Sequence, residues 1–411
     1  MKRYVIAGNG AAAAGCIEGI RSVDAAGEIV VISEEKHPVY GRPLISYYLE
    51  GKTDLPHMNY RGADFYEKNG CRVLYGRRAV SIDPETHAVT LDDETQLAYD
   101  ALCVATGSSP FVPPFEGLET VANKFSFMTL DDAMALKQAA GQTSRVLIVG
   151  AGLIGLKCAE GLAGSVGEIT VCDLADRVLS SVLDAECAAL MQRRLEANGI
   201  RFLLGDSAAR FEGNAAVMRG GSRVEFDLLV LCVGVRANTA LVKNAGGEVG
   251  RGIAVDEKMR TSLADVYAAG DCTESVDISC GTRKIMALMP NAYLQGHAAG
   301  VNMAGGNAVF DNAIPMNSVG FFGLHAMTAG SYDGEAYEEK DDGHIRRLYV
   351  KDGLLKGFML IGGFERAGIY TALIREKTPL AELDFELLKT GATTAAFPAA
   401  ERKIKFGGAV S

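Results

Sequence analysis

The chain has 411 residues, of which 48% are apolar and 22% are charged, and its formal net charge is −10. This balance excludes a disordered or fibrous protein, and the length predicts about two to three domains. A mildly acidic chain is a poor general binder of nucleic acid or of an anionic membrane, so we expect neither partner. The 48 glycines are well above the usual share and predict many tight turns and close backbone contacts.

The cysteines and the apolar runs limit the cellular location. The apolar start of the chain is broken by Gly8, Asn9 and Gly10 and is not interpreted as a signal peptide. No run reaches the roughly 18 apolar residues of a membrane span. Nine cysteines are scattered without C-x-x-C or C-x-x-x-x-C spacing. We therefore expect a cytoplasmic protein without a disulfide framework, a redox dithiol or a metal site.

An internal duplication organises the chain. Each copy has an apolar strand, a glycine-rich turn, a helical segment and a second apolar strand, and later a buried strand that ends in glycine. The turns are G-N-G-A-A-A at 8–13 and G-A-G-L-I-G at 150–155, and the later glycines are Gly107 and Gly234. Short apolar strands alternating with helices predict an α/β protein with parallel sheets.

Each glycine-rich turn has the form of a dinucleotide-binding fingerprint. The first glycine makes a tight turn, the second admits a pyrophosphate to the helix N-terminus, and the third small residue lets the helix pack on the sheet. An acidic residue at the end of the next strand suits ribose hydroxyls. These residues are Gly8, Gly10, Ala13, Glu34 and Glu35 in the first copy, and Gly150, Gly152, Gly155 and Asp173 in the second. Two fingerprints predict two bound nucleotides.

Further motifs follow in a specific order. They are V-Y-G-R-P-L at 39–44, A-T-G at 105–107, T-S-L-A-D-V-Y-A-A-G-D-C at 261–272 and Q-G-H-A-A at 295–299. Over at least residues 3–310 the chain thus resembles the two-dinucleotide-binding flavoproteins of the pyridine nucleotide–disulfide oxidoreductase superfamily. The resemblance implies two Rossmann-like domains of the glutathione-reductase type. Residues 1–112 and 240–316 would form a discontinuous FAD-binding domain, 113–239 an NAD(P)-binding domain, and 317–411 a C-terminal α+β interface domain.

The same resemblance implies the cofactor contacts. By matched position, the FAD-binding residues are Gly8, Gly10, Ala13, Glu34, Glu35, Arg42, Ala79, Ala105, Thr106, Gly107, Asp271, Met289 and Pro290. Those for the nicotinamide nucleotide are Gly150, Gly152, Leu153, Ile154, Gly155, Asp173 and Gly234. A helix starting at Met289 would direct its positive end at the flavin. Asp173 favours NADH because a carboxylate repels the 2′-phosphate of NADPH, whereas Arg177 is the one feature that favours NADPH.

Two departures from the family narrow the chemistry. The disulfide-reducing branches carry a cysteine just after the first acidic region, and residues 40–49 contain none. Many relatives also pair a lysine with a glutamate near the flavin, at positions that hold Tyr47 and Lys157 in this chain. Both are candidate catalytic residues. Lys157 is expected to be a positive charge without a partner acid at the flavin–nicotinamide junction, or else a solvated helix residue.

In these features the chain most resembles the rubredoxin/ferredoxin reductase branch of the family, and it is also similar to the N-terminal part of nitrite reductase large subunits. They imply an FAD-dependent NAD(P)H oxidoreductase that passes a hydride from NADH to flavin and then single electrons to a small carrier protein. An NADH oxidase acting on oxygen or a small quinone is the alternative enzyme. A flavin-binding interaction or signalling protein is the alternative from another class. A homodimer is an expected assembly.

The remaining segments complete the prediction of elements. Residues 71–97 alternate in polarity and predict a small antiparallel meander. Residues 346–350 and 354–361 predict a hairpin around the Lys351-Asp352-Gly353 turn, followed by helices near 366–375 and 379–389. Phe321 and Phe322 are interpreted as core residues, with one of them as an alternative cover for the flavin ring.

Overall fold

A computed structural model describes residues 1–341 and 343–405 of the protein. The first part of the chain forms most of a five-stranded parallel sheet, which is completed at one edge by a strand from later in the chain, and a separate three-stranded antiparallel sheet of residues 79–98. The elements up to residue 110 are β1 (Arg3–Ala7), α1 (Ala11–Arg21), β2 (Glu28–Ser33), α2 (Ile45–Glu50), α3 (Phe65–Lys68), β3 (Cys71–Tyr75), β4 (Ala79–Asp83), β5 (Ala88–Leu91), β6 (Gln96–Ala98), β7 (Ala101–Val104) and β8 (Ser108–Pro110).

The expectation of one antiparallel meander over 71–97 is wrong at its start. Strand β3 pairs in parallel with β2, from Ile29 against Cys71 to Ser33 against Tyr75. Only β4, β5 and β6 form the antiparallel meander. Apolar and polar residues alternate both in the edge strand of a parallel sheet and in the strands of an antiparallel meander. The alternation alone therefore does not show to which sheet residues 71–75 belong.

The middle of the chain forms a second parallel sheet with its own helices. We call this part the second unit, and we call the first parallel sheet with the helices that pack on it the first unit. Strand β10 is central and pairs with β11 on one side and with β16 on the other. Strand β12 pairs with the outer edge of β11, and β9 with the outer edge of β16; all four pairings are parallel. Strands β8 and β17 pair antiparallel where the chain leaves the first unit and returns. The elements are β9 (Lys124–Phe125), α4 (Leu130–Ala139), β10 (Arg145–Val149), α5 (Leu153–Leu162), β11 (Glu168–Asp173), α6 (Ala185–Glu196), β12 (Ile200–Leu204), β13 (Ala208–Phe211), β14 (Ala215–Met218), β15 (Arg223–Glu225), β16 (Leu228–Leu231) and β17 (Val235–Ala237).

The last part returns to the first sheet and then builds a sheet of its own. Strand β19 pairs with β7, and β22 to β26 form an antiparallel sheet in the order β22-β23-β26-β25-β24. The elements are α7 (Ala240–Asn244), β18 (Ile253–Ala254), β19 (Val266–Ala268), β20 (Thr273–Asp277), β21 (Thr282–Lys284), α8 (Met289–Met303), β22 (Met316–Phe321), β23 (Leu324–Gly330), β24 (Glu335–Asp341), β25 (His344–Lys351), β26 (Leu354–Ile361), α9 (Gly368–Glu376), α10 (Phe385–Thr390) and α11 (Ala399–Lys405).

The C-terminal elements agree with the prediction in most details. The hairpin is formed by β25 and β26, with positive φ at Asp352 and Gly353 in its turn. A single helix over 379–389 is wrong, because Leu380–Glu382 is a separate 3₁₀ turn. Asp384 then starts α10 by accepting a hydrogen bond from the Leu387 amide at 3.2 Å.

Helices α1 and α8 pack backbone to backbone. A Cβ atom added to Gly296 would lie 1.9 Å from the Ala12 carbonyl oxygen, and one added to Gly15 would lie 2.2 Å from the Tyr293 carbonyl oxygen. Side chains larger than hydrogen would therefore separate the helices. The contact brings the N-terminal turns of both helices to the same cleft, where Ala12 and Ala292 are lining residues.

Candidate functional site

A cleft of about 1720 Å³ collects nearly all the residues that the motifs single out. It is lined by elements of both parallel sheets and by strand β22 of the C-terminal sheet. From the first unit come Gly8, Gly10, Glu34, Glu35, Arg42, Ala79, Ala105, Thr106, Gly107, Asp271, Met289 and Pro290, together with Tyr47; from the second come Gly150, Gly152, Leu153, Ile154, Asp173 and Gly234, together with Lys157. Ala13 and Gly155 do not line the cleft and instead pack their helices against the sheets.

The two glycine-rich turns form matching cradles. Gly8 has a φ of +123° and Gly150 a φ of +118°, and a Cβ at either position would lie within 2.2 Å of a carbonyl oxygen of the neighbouring strand's end. Gly10 and Gly152 instead face open space, with no atom within 4 Å of an added Cβ. Neither of these two N-cap residues provides a side-chain cap, so the amides of α1 and α5 are free for an anionic ligand.

The two acids after β2 have different environments. Glu34 is exposed and lines the cleft. Glu35 is engaged within the protein: Arg42 Nη2 donates to it at 2.7 Å and Tyr40 Oη donates to it at 2.6 Å. Glu35 therefore orients Arg42, and Glu34 is the carboxylate that is open to a ribose.

Asp271 is a partly buried carboxylate that receives no hydrogen bond from the described part of the chain. Burial raises its pKa, and the nearby Arg42 guanidinium offsets part of that effect. Within residues 1–341 and 343–405, the structure shows no hydrogen bond to its side chain. Partial burial of a carboxylate that has no hydrogen-bond donor is destabilising, and ligand hydroxyl groups would relieve that cost. The ribityl chain of FAD carries such hydroxyls, so the cradle at Gly8 and Gly10 and the orphaned acid both fit this cofactor.

Asp173 closes the second cradle. Its carboxylate accepts hydrogen bonds from the Ala151 amide at 2.7 Å and from the Ala175 amide at 2.8 Å, one on each oxygen. Each oxygen keeps a further acceptor site for a ribose hydroxyl. Arg177 does not line the cleft; it donates to Asp176 at 2.8 Å and to the Leu183 carbonyl oxygen at 3.4 Å.

The interpretation of Lys157 as a charge without a partner acid is wrong. Its ammonium group is paired with Glu160, one turn further along α5, and donates to the Gly320 carbonyl oxygen at 3.1 Å. The ammonium also lies 5.1 Å from the centre of the Tyr47 ring. Sequence analysis missed Glu160, although its i,i+3 spacing from Lys157 on a helix was a usable signal. Phe321 is fully buried and does not line the cleft, as expected for a core residue.

Asn238 is a second residue that the motifs did not indicate. Its side-chain amide donates to the Thr106 carbonyl oxygen, and the Thr106 hydroxyl donates to the Asn238 carbonyl oxygen, both at 2.9 Å. This reciprocal pair ties the A-T-G turn to the end of β17. The two residues are far apart in sequence, so no local pattern could have joined them.

Neither a membrane-spanning helix nor a cluster of metal-binding side chains occurs in the described part of the chain. Throughout the described part of the chain, no helix has the length and apolar composition needed to cross a membrane. No cluster of three or more His, Cys, Asp or Glu side chains suited to a metal ion occurs among residues 1–341 and 343–405.

Comparison with known proteins agrees with the geometry of the cleft. A family model described as "Pyridine nucleotide-disulphide oxidoreductase" matches residues 2–296. The epsilon subunit of NADH-dependent phenylglyoxylate dehydrogenase from Aromatoleum evansii is 31% identical over 396 residues, which cover 93% of each chain. Rubredoxin-NAD(+) reductase from Pseudomonas putida is 29% identical over 307 residues, covering 73% of this chain and 80% of the relative.

The fold is also shared with a solved structure. The covalent putidaredoxin reductase–putidaredoxin complex contains a chain that matches with a TM-score of 0.87 at 23% identity, covering 94% of this chain and 95% of that one. At this identity the similarity establishes the fold, which is the expected arrangement of two Rossmann-like units and a C-terminal α+β unit.

Proposed function

This chain belongs to the pyridine nucleotide-disulphide oxidoreductase family and is an FAD-dependent NAD(P)H oxidoreductase, and from that premise we propose that it passes electrons from NADH to a small carrier protein of the rubredoxin or ferredoxin type. The observation that carries the proposal is that both glycine-rich turns open onto one cleft, and that no pair of cysteines from the described part of the chain lines this cleft. In the described part of the chain, Cys232 is the only cysteine that lines it, and burial raises the pKa of this thiol to about 12. Disulfide chemistry at the flavin therefore has no support.

The proposal assigns a cofactor to each unit. FAD belongs to residues 1–112 and 240–316, where Gly8, Gly10 and Asp271 provide the cradle and the acceptor for hydroxyls. The nicotinamide nucleotide belongs to residues 113–239, and residues 317–411 form the interface domain. Bound FAD supplies the chemistry, because it accepts a hydride and releases single electrons. The chain's own part is to hold both rings in one cleft, with the N-terminus of α8 nearby to favour negative charge.

NADH is the proposed nucleotide. Asp173 places a carboxylate at the end of β11, where a 2′-phosphate would be repelled. Arg177, the candidate phosphate ligand, is paired with Asp176 away from the cleft. The name of the phenylglyoxylate dehydrogenase relative is that of an NADH-dependent enzyme, which agrees with this assignment.

A second candidate places the same chemistry inside a larger enzyme. The phenylglyoxylate dehydrogenase relative is a subunit, and it matches this chain over nearly the full length of both. In that case the electron partner would be another subunit rather than a free carrier. This candidate predicts a stable complex with that partner after gentle purification, whereas a carrier reductase is isolated without one.

A stopped-flow experiment tests the proposal. The FAD-loaded protein is reduced by NADH without oxygen, and its reoxidation is then followed with rubredoxin, ferredoxin, oxygen and a small quinone. Fast reoxidation by one of the carrier proteins is expected. Preference for oxygen or the quinone would establish an NADH oxidase instead. Failure of NADH to reduce the bound flavin would favour the flavin-holding interaction protein.

A further inference from the structure

We propose that Glu160 is a positioning residue of the hydride-transfer site, which holds the Lys157 ammonium at the cleft and fixes the turn of the C-terminal sheet beside it. This inference rests on the function proposed above. It assigns Lys157 the role of a hydrogen-bond donor to the carboxamide oxygen of a bound nicotinamide.

Both oxygens of the Glu160 carboxylate are used. One accepts from Lys157 Nζ, and the other accepts from the Phe322 amide at 2.7 Å. Only 10% of the Glu160 side chain is exposed, and 19% of the Lys157 side chain. An ion pair this far from solvent needs each of its partners, because removal of one leaves an uncompensated charge. The pair is therefore a single neutral unit that links helix α5 to strand β22.

The turn held by Glu160 is strained. Phe322 and Gly323 connect β22 to β23 with φ values of +46° and +82°. These are the left-handed conformations of a two-residue hairpin turn, in which glycine or asparagine is the usual first residue. A phenylalanine persists there only when its surroundings determine its conformation. The hydrogen bond from its amide to Glu160 is one such constraint. Strand β22, which leads into this turn, provides the Gly320 carbonyl oxygen that accepts from Lys157.

The remaining contacts of Lys157 direct it at the cleft. An ammonium group has three donors, and the Glu160 and Gly320 oxygens use two of them. The rings of Tyr47 and Phe321 lie 5.1 and 5.3 Å from the ammonium nitrogen and limit its movement. Lys157, Tyr47 and Gly320 all line the cleft, beside Leu153 and Ile154 at the start of α5. The third donor is thus available to an acceptor in the cleft, and the carboxamide of a nicotinamide offers one.

Removing the two charges separately gives opposite effects. In Glu160→Gln the Lys157 charge is no longer neutralised, so reduced flavin, which is anionic, is favoured and the midpoint potential rises. In Lys157→Met the negative Glu160 remains, and the potential falls. In the double variant both charges are gone and the potential returns close to the wild-type value. Hydride transfer from NADH is slowed in all three, by about tenfold or more, because the donor is lost or displaced.

The experiment compares the FAD-loaded wild type with K157M, E160Q, the double variant and a control, K137M. Lys137 makes similar contacts on α4, since its ammonium donates to the Tyr48 carbonyl oxygen at 2.6 Å and lies 4.4 Å from the Tyr48 ring. It does not line the cleft. The midpoint potential of the flavin is measured for each protein by anaerobic redox titration, and the rate of reduction by NADH by stopped flow. K137M should match the wild type in both.

Opposite shifts in the two single variants, cancelling in the double variant, support the inference, because a merely structural role would not change the sign. Potentials and rates equal to those of K137M in all three would overturn it, while NADH reduction of the wild type would leave the proposed function intact. If E160Q does not retain FAD, the decision passes to K157M and the double variant: a potential that is lowered in K157M and restored in the double variant supports the inference, and any other result overturns it. A wild type that holds FAD but is not reduced by NADH refutes the proposed function itself.

Discussion

Arg42 donates through Nη1 to the Met128 carbonyl oxygen at 2.9 Å, which joins the loop after β2 to the turn that begins α4. The same guanidinium donates through Nη2 to Glu35 at 2.7 Å. Tyr40 strengthens this junction, because its hydroxyl donates to Glu35 and accepts from the Leu130 amide at 2.9 Å. The Arg42 side chain thus lines the cleft and also anchors the segment that leads into the second unit.

We predict that Arg42→Met weakens FAD binding by about tenfold or more, since a hydrogen bond to a charged group contributes about 1.5–3 kcal/mol. Arg61→Met is the matched control. Arg61 also pairs with a carboxylate of the first unit, Glu18, but does not line the cleft. Titration of the apoprotein with FAD, followed by flavin fluorescence, measures both affinities. Equal loss of affinity in the two variants would show that the Arg42 contribution is not local to the cleft.

Two glycine substitutions should separate ligand binding from folding. Gly10→Ala places a methyl group in open space at the first cradle, so the apoprotein should lose less than about 1 kcal/mol of stability while FAD affinity falls strongly. Gly296→Ala instead forces a methyl group against the Ala12 carbonyl oxygen, and the protein should lose about 3 kcal/mol. Denaturant unfolding of the apoproteins and FAD titration measure the two effects. A Gly10 variant that binds FAD normally would contradict the assignment of the cradle.

Nucleotide preference provides the next prediction. The wild type should have a higher kcat/KM for NADH than for NADPH, and Asp173→Ser should reduce that ratio by about tenfold. The variant should also use NADH less well, because Asp173 supports the Ala151 and Ala175 amides of the cradle. Arg177→Met is the control and should leave the ratio unchanged, since its guanidinium is paired with Asp176. A fall in NADPH use by the Arg177 variant would instead identify a phosphate ligand.

The sequence predicted those parts of the site that depend on local backbone geometry. Gly8 and Gly150 have the positive φ that the fingerprint requires, and their positions could be assigned from spacing alone. The partner of Lys157 was missed because the family pattern directed attention to Tyr47, whereas the charge is neutralised within its own helix. The Thr106–Asn238 pair was beyond prediction, since tertiary structure brings these residues together. Local rules therefore located the glycine-rich turns and could also have located Glu160, whereas the contact between Thr106 and Asn238 depends on packing between segments distant in sequence.

Ion pairs join the second unit to the C-terminal sheet. Arg347 of β25 pairs with Asp184 and Glu186 at the start of α6 and with Glu338 of β24, and only 12% of its side chain is exposed. The Arg347 guanidinium lowers the pKa of Glu338. Burial alone would raise the pKa of Asp184, but the Cys187 amide and Arg347 outweigh it and the pKa is lowered.

Carboxyl groups whose pKa is lowered by folding contribute stability above the pKa of the unfolded chain, and that contribution is lost as the pH falls through the folded pKa. We therefore expect the thermal stability of the wild type to fall as the pH drops below about 4. Arg347→Met should lose about 2 kcal/mol at pH 7, because the Arg347 hydrogen bonds to charged groups are lost, while Lys340 still pairs with Glu186 and Glu338 and the Cys187 amide still donates to Asp184. This variant should lose less than the wild type on acidification. Arg223→Met, at an exposed pair with Glu212 and Glu225, should leave the stability at pH 7 close to that of the wild type, because solvent screens such a pair. Calorimetry at neutral and acid pH compares the three proteins, and equal behaviour of the two arginine variants would show that the Arg347 junction adds no more stability than a surface ion pair.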